Sequence, residues 1–95
     1  MKLATLAAVS STPLPSVRLL AFAATKELVG AAESELFLGE EQSLEDFWLL
    51  LTRTHVKLTP HKAAIRLAIN GTYATASDRV RPGDAVALIP PVSGG

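Results

Sequence analysis

The chain has 95 residues, 48% of them hydrophobic, and its 9 Lys and Arg residues balance its 9 Asp and Glu residues. This length indicates one domain, and the hydrophobic content excludes a disordered polypeptide. The lack of cysteine excludes disulfides, thiolate metal sites and a cysteine nucleophile, and the zero net charge with no basic run predicts binding to neither nucleic acid nor an anionic membrane.

Residues 1–16 differ from the rest of the chain. Lys2 precedes a short apolar run at residues 3–9, and serine, threonine and proline residues follow it. The run is short for a secretory signal, no clear cleavage motif follows, and the segment lacks the arginines of a transit peptide. We therefore expect a flexible N-terminal extension and a cytoplasmic protein.

The next elements are predicted to be a strand at residues 17–22, a short helix at residues 23–29 and a second strand at residues 33–38. Gly30 stands where a helix is capped in the left-handed conformation. A hairpin-like antiparallel pair is the simplest arrangement of these two strands.

The main helix gives the clearest local signal. Ser43 is a good N-cap, and Asp46 lies three residues later, near the positive end of the helix dipole. One apolar face follows at helical spacing: Leu44, Phe47, Trp48 and Leu51, with His55 near its end. Thr59-Pro60 predicts a break after this helix.

The second half of the chain predicts a hairpin and a final strand. Residues 65–69 alternate in polarity, and Asn70-Gly71 is suited to a tight type I′ turn into a returning strand at residues 72–74. Pro82-Gly83 predicts a turn, and residues 85–89 form the final strand. This order predicts an α+β fold of the β-grasp type over residues 17–89, with a mixed sheet packed on one main helix.

Residues 90–95 form a tail with unusual composition. Pro90 and Pro91 favour an extended arm, and Val92 could anchor in an apolar groove. Gly94 and Gly95 have no Cβ, so that a partner could enclose the backbone closely. The alternative is a frayed end without function.

Other candidate chemistry is weak. No glycine-rich phosphate loop is present, and the spacing of His55 and His61, with Pro60 between them, does not match a helical zinc pair. The acidic clusters beside the main helix are interpreted as solvated surface. We expect no metal site, no permanently bound cofactor and no catalytic side chain in this chain.

Several motifs together resemble one known family. They are Leu20-Ala21-Phe22-Ala23, Glu27-Leu28-Val29-Gly30, Arg53-Thr54-His55, Ala68-Ile69-Asn70 with Tyr73, Arg81-Pro82-Gly83-Asp84, and the ending Ile89-Pro90-Pro91-Val92-Ser93-Gly94-Gly95. On these residues the chain resembles the small subunit of molybdopterin synthase, the MoaD family, over residues 17–95. A bare Gly-Gly ending is shared with ubiquitin-like modifiers and the thiamine sulfur carrier, whereas the full ending is specific. The sequence departs from the family at Val56, where many relatives have proline, and in its longer N-terminal extension.

The resemblance implies a sulfur carrier with a C-terminal glycine that becomes a thiocarboxylate. An adenylating enzyme would use ATP to join the Gly95 carboxylate to AMP, and a sulfur donor would then replace AMP. The tail would insert into the large synthase subunit, within a heterotetramer, and pass sulfur to a cyclic pterin precursor. Its partner-binding residues would be Pro90, Pro91, Val92, Ser93 and Gly94, with Phe22 and Ile89 as a candidate docking face.

Three alternatives remain open at the level of sequence. A ubiquitin-like modifier would be joined to lysines through Gly95, and a thiamine-pathway sulfur carrier would use the same chemistry with another partner. A plain interaction module with an inert tail would be unaffected by loss of Gly95.

Overall fold

A computed structural model describes residues 14–91 of the chain. The predictions for residues 1–13, and those for Val92, Ser93, Gly94 and Gly95, lie outside the described residues. Within residues 14–91 there is no helix of the length and hydropathy that a membrane crossing requires.

Seven strands and two α-helices are described, together with one 3₁₀ helix. In chain order they are β1 (Ser16–Ala21), α1 (Ala24–Val29), β2 (Glu33–Phe37), β3 (Gln42–Ser43), α2 (Leu44–Thr54), the 3₁₀ helix (Val56–Ala64), β4 (Arg66–Ile69), β5 (Thr72–Tyr73), β6 (Arg79–Val80) and β7 (Ala85–Ile89).

Five of the strands form a mixed sheet in the order β2-β1-β7-β4-β5. β1 and β7 are parallel, and the other pairs in this sheet are antiparallel. β3 and β6 form a separate antiparallel ribbon. The predicted β-grasp fold of the α+β class is confirmed, as is the antiparallel pairing of the first two strands.

The core lies between one face of the sheet and α2. Val17 and Leu19 of β1 and Val86 and Leu88 of β7 alternate toward this face, and all four side chains are buried. They pack in one cluster with the helix residues predicted from the sequence to face inward: Phe47, Trp48 and Leu51. Burying each large apolar side chain of this kind contributes about 2 kcal/mol, so this face holds the helix against the sheet.

The local signals for turns and caps are borne out. The Ser43 hydroxyl accepts a hydrogen bond from the Asp46 N–H at 3.1 Å and caps α2. Gly30 ends α1 in the left-handed conformation with φ 92°. Asn70 and Gly71 have φ values of 51° and 89°, as a type I′ turn requires.

The region after α2 differs from the prediction of a break at Thr59-Pro60. The α-helix already ends at Thr54, and the chain continues as the 3₁₀ helix, which contains Pro60. The β-branched Val56 disfavours continuation of the α-helix, and Leu58 in the tighter 3₁₀ helix is fully buried in the core.

Candidate functional site

The tail begins at the end of a central strand. β7 lies between β1 and β4, with Ala21 opposite Leu88 on one side and Arg66 opposite Ile89 on the other. Because Val86 and Leu88 are fully buried, β7 is held by side-chain packing as well as by both ladders. The point from which the tail leaves the domain is therefore firmly held.

Strand pairing stops at Pro90. Neither Pro90 nor Pro91 has an N–H to donate, so the backbone of β7 cannot extend its ladders beyond Ile89 through these residues. Pro90 is half-buried and Pro91 is exposed. Of the predicted site residues, the structure describes these two prolines together with Phe22 and Ile89, and the roles of all four stay predictions.

Phe22 and Ile89 lie at the same end of the sheet although they are far apart in sequence. The parallel register pairs Leu20 with Ala87 and Ala21 with Leu88, so the next pair along would be Phe22 and Ile89. Because side chains alternate along a strand, Ile89 lies on the sheet face opposite α2, and Phe22 directly follows β1 at the same end of the sheet. Phe22 is 49% exposed, whereas Ile89 is half-buried.

Neighbouring strands extend this apolar surface. We define the docking face as six residues: Leu20, Ala68, Tyr73, Ala87 and Ile89, which the strand registers place on the side of the sheet opposite α2, and Phe22, which directly follows β1. Tyr73 is 51% exposed, and the Arg66 guanidinium lies 4.1 Å from its ring centroid. Sequence reasoning named only two of the six, because the others are joined through the pairing of β7 with β1 and β4.

An apolar cavity of about 350 Å³ lies beside the base of the tail. Residues of α1, of the 3₁₀ helix and of the tail line it together, among them Thr25, Leu28, Ile65, Pro90 and Pro91. His61 also borders this cavity, while His55 follows α2 directly. The two histidines thus belong to different surroundings.

The described residues hold one group with a clear electrostatic shift. Glu41 forms ion pairs with Arg79 and Arg81, the latter at 2.8 Å. The hydrogen bond from Arg79 is the main cause that holds the pKa of Glu41 below its ordinary value, with the positive charges of the two arginines adding to it. This cluster joins the β3–β6 ribbon. In the part of the chain that the structure describes, no three His, Cys, Asp or Glu side chains are grouped to hold a metal ion.

Comparisons with known proteins agree with this geometry. A sequence model of the ThiS family matches residues 19–95 and so includes the tail. The molybdopterin synthase sulfur carrier subunit of Homo sapiens is 30% identical over 86 residues, which cover 87% of this chain and 98% of the human one.

Two solved structures show the same fold. SAMP1 from Haloferax volcanii has a TM-score of 0.73 at 26% identity, covering 84% of this chain and 99% of that one. A complex of subunits 1 and 2 of the molybdopterin-converting factor from Helicobacter pylori contains a chain with a TM-score of 0.60 at 18% identity, with coverage of 84% and 99%.

Proposed function

The chain belongs to the ThiS family, and we propose that it is the sulfur carrier subunit of a molybdopterin synthase. The observation that carries this proposal is the 30% identity to the human sulfur carrier subunit over 98% of the length of that protein. The ending Ile89-Pro90-Pro91-Val92-Ser93-Gly94-Gly95, which follows directly from a central strand, supports the same function.

The proposed chemistry takes place on the Gly95 carboxylate. An adenylating enzyme activates this carboxylate with ATP, releasing pyrophosphate, so that AMP becomes a good leaving group. Sulfide supplied by a donor attacks the acyl carbon of the adenylate and displaces AMP, which leaves a thiocarboxylate. The chain is thus the substrate of one enzyme and the sulfur-donating, non-catalytic subunit of another, and ATP serves the activating enzyme rather than binding here permanently.

The docking face supports a protein partner. Its apolar side chains continue to the base of the tail, since Ile89 is followed at once by Pro90. A large subunit that covers this face would bury apolar surface and receive the tail in the same event. The relative of the same fold in the Helicobacter pylori complex of subunits 1 and 2 supports such a partner. We propose a heterotetramer with that subunit, in the cytoplasm, where ATP is available.

The second candidate is a protein modifier joined to lysines through Gly95. It is favoured by the likeness to SAMP1, the small archaeal modifier protein 1 of Haloferax volcanii. The thiamine-pathway sulfur carrier is a third candidate, and it differs in the partner that accepts the sulfur.

Intact-mass measurement separates these functions. The purified chain is incubated with ATP, an adenylating enzyme of the molybdopterin pathway and a sulfide source, and then with the large subunit and cyclic pterin precursor. The proposal predicts exchange of one oxygen for sulfur at Gly95, followed by return to the carboxylate as molybdopterin forms. A modifier would instead yield isopeptide-linked species of higher mass. The chain lacking Gly95 is the control and should undergo neither change.

A further inference from the structure

A side chain completes the parallel ladder at the end of β1 and β7. The ladder begins where the Arg18 N–H donates to the Asp84 carbonyl at 3.0 Å. In a parallel pair, the N–H groups of one strand donate to the other strand at every second residue. This register would therefore bring the Phe22 N–H to the Leu88 carbonyl. Instead, the Phe22 N–H donates to Thr25 Oγ1 at 2.9 Å, and Thr25 Oγ1 lies 2.9 Å from the Leu88 oxygen. The Thr25 hydroxyl thus replaces one direct backbone hydrogen bond by two hydrogen bonds, from Phe22 N–H to Thr25 Oγ1 and from Thr25 Oγ1 to Leu88 O, which we call the relay.

Thr25 is enclosed at this position. Its side chain is 1% exposed, and it is the buried polar residue of the described core. The hydroxyl is also 2.9 Å from the Phe22 carbonyl, so its single proton has two acceptors, Phe22 O and Leu88 O. A hydroxyl buried in this way is costly without partners, and the relay satisfies it.

The backbone around Thr25 is tightly turned. Ala23 has φ 47° and ψ −118°, and the Thr25 N–H donates to the Phe22 carbonyl at 3.0 Å. A residue other than glycine keeps a positive φ only where its surroundings determine it. The turn and the relay therefore fix Phe22 and Thr25 relative to each other.

The relay lies one residue before the last residue of β7. Ile89, Pro90 and Pro91 follow Leu88, and the prolines have no N–H with which to extend a ladder. The apolar cavity lies beside them, so packing supports Pro90 incompletely on that side. The direction in which the chain leaves β7 consequently depends on the bonds that hold Leu88 and Ile89.

We infer that Thr25 is a positioning residue, whose hydroxyl relay to Leu88 holds the end of β7, where Pro90 and Pro91 leave the sheet, and so helps to present the Gly95 carboxylate to partner active sites. The inference rests on the proposed function, because that function assigns the reaction to Gly95. Since Thr25 is buried, it acts on the tail through β7 rather than by touching the partner.

Two substitutions isolate the hydroxyl. Thr25→Val keeps the shape of the side chain but removes the relay, whereas Thr25→Ser keeps a hydroxyl at the same atom. Pyrophosphate release by the adenylating enzyme is measured against carrier concentration, at a temperature where circular dichroism shows every variant folded. Misdirection of a reacting group lowers the rate, so Thr25→Val should lower kcat roughly tenfold with KM nearly unchanged, and Thr25→Ser should restore kcat.

Two kinetic results would overturn the inference. A rise in KM at unchanged kcat would mean that Thr25 only holds Phe22 in the docking face. Equal impairment by Thr25→Ser and Thr25→Val would show that the hydroxyl is not what matters.

Amide hydrogen exchange tests the relay without any partner. Thr25→Val should accelerate amide exchange at Phe22 and Ile89 roughly tenfold. Exchange at the Val17 and Leu36 amides should change only as much as the free energy of global unfolding changes. If the adenylating enzyme does not accept the wild-type chain, the proposed function is refuted. The exchange rates still show whether the Thr25 hydroxyl holds Leu88 and Phe22. Uniform acceleration, or none, contradicts the role of Thr25 in either case.

Discussion

At the scale of single residues, the φ values distinguish conformations that the residue type itself favours from those that the surrounding structure imposes. Gly30 and the Asn70-Gly71 pair have positive φ values, which these residue types adopt readily. Ala23 has φ 47°, although its Cβ disfavours this region. The strain at Ala23 is sustained by the hydrogen bonds between Phe22 and Thr25 on either side.

Replacing Ala23 by glycine should therefore stabilise the protein. Relief of the strained conformation outweighs the extra freedom that glycine gives the unfolded chain, for a net gain of about 1 kcal/mol. Urea denaturation of wild type and Ala23→Gly measures the difference. Ala24→Gly is the matched control, since Ala24 begins α1 and its loss should destabilise by about 0.5–1 kcal/mol. Destabilisation by Ala23→Gly would mean that Ala23 is not strained.

At the scale of elements, predictions succeeded where the signal lies within one segment. Ser43 as a cap and the spacing of Phe47, Trp48 and Leu51 are local features, and α2 begins where they indicate. The strands β3 and β6 have two residues each, too few to show a period, and they exist because Gln42 and Val80 meet across the fold. The docking face predicted from the sequence was incomplete for the same reason. Tyr73 joins this face only because β5 pairs with β4 and β4 pairs with β7.

The ion pairs of Glu41 give the β3–β6 ribbon a pH dependence. Because the folded state lowers the pKa of Glu41, its contribution to stability is present above the ordinary value of 4.5 and is lost as pH falls through the lower folded value. Glu41→Gln should thus lower Tm at neutral pH, and the difference from wild type should shrink below pH 4.5.

Thermal unfolding across this pH range measures the effect. Glu40→Gln is the control, because it removes the same charge at the neighbouring exposed position and leaves the observed Glu41 ion pairs in place. A difference between Glu41→Gln and wild type that stays constant down to acidic pH would show that these ion pairs do not couple to folding.

At the scale of the whole molecule, the two faces of the sheet have different tasks. One face is buried against α2 and stabilises the fold, while the docking face leaves Phe22 and Tyr73 half exposed. Both faces share β7, from which the tail leaves, so stability, docking and presentation of Gly95 converge on one strand.

Phe22→Asp should separate docking from folding. The side chain is 49% exposed, so the fold should be retained, while a buried charge in the interface should weaken binding to the large subunit at least about tenfold. Titration calorimetry measures this affinity. Leu49→Asp is the matched control, because Leu49 is 58% exposed on α2, which packs on the opposite face. Equal binding by Phe22→Asp and wild type would place the interface elsewhere.

The most direct test of the sulfur-carrier function is molybdoenzyme activity in a strain that lacks its own molybdopterin synthase small subunit. The strain is supplied with this chain, or with the chain lacking Gly95, together with a matched large subunit, and both forms are shown to accumulate in folded form. Restored activity with the full chain, and its loss without Gly95, is the predicted result. Activity that persists without Gly95, or no restoration by the full chain, would contradict the account.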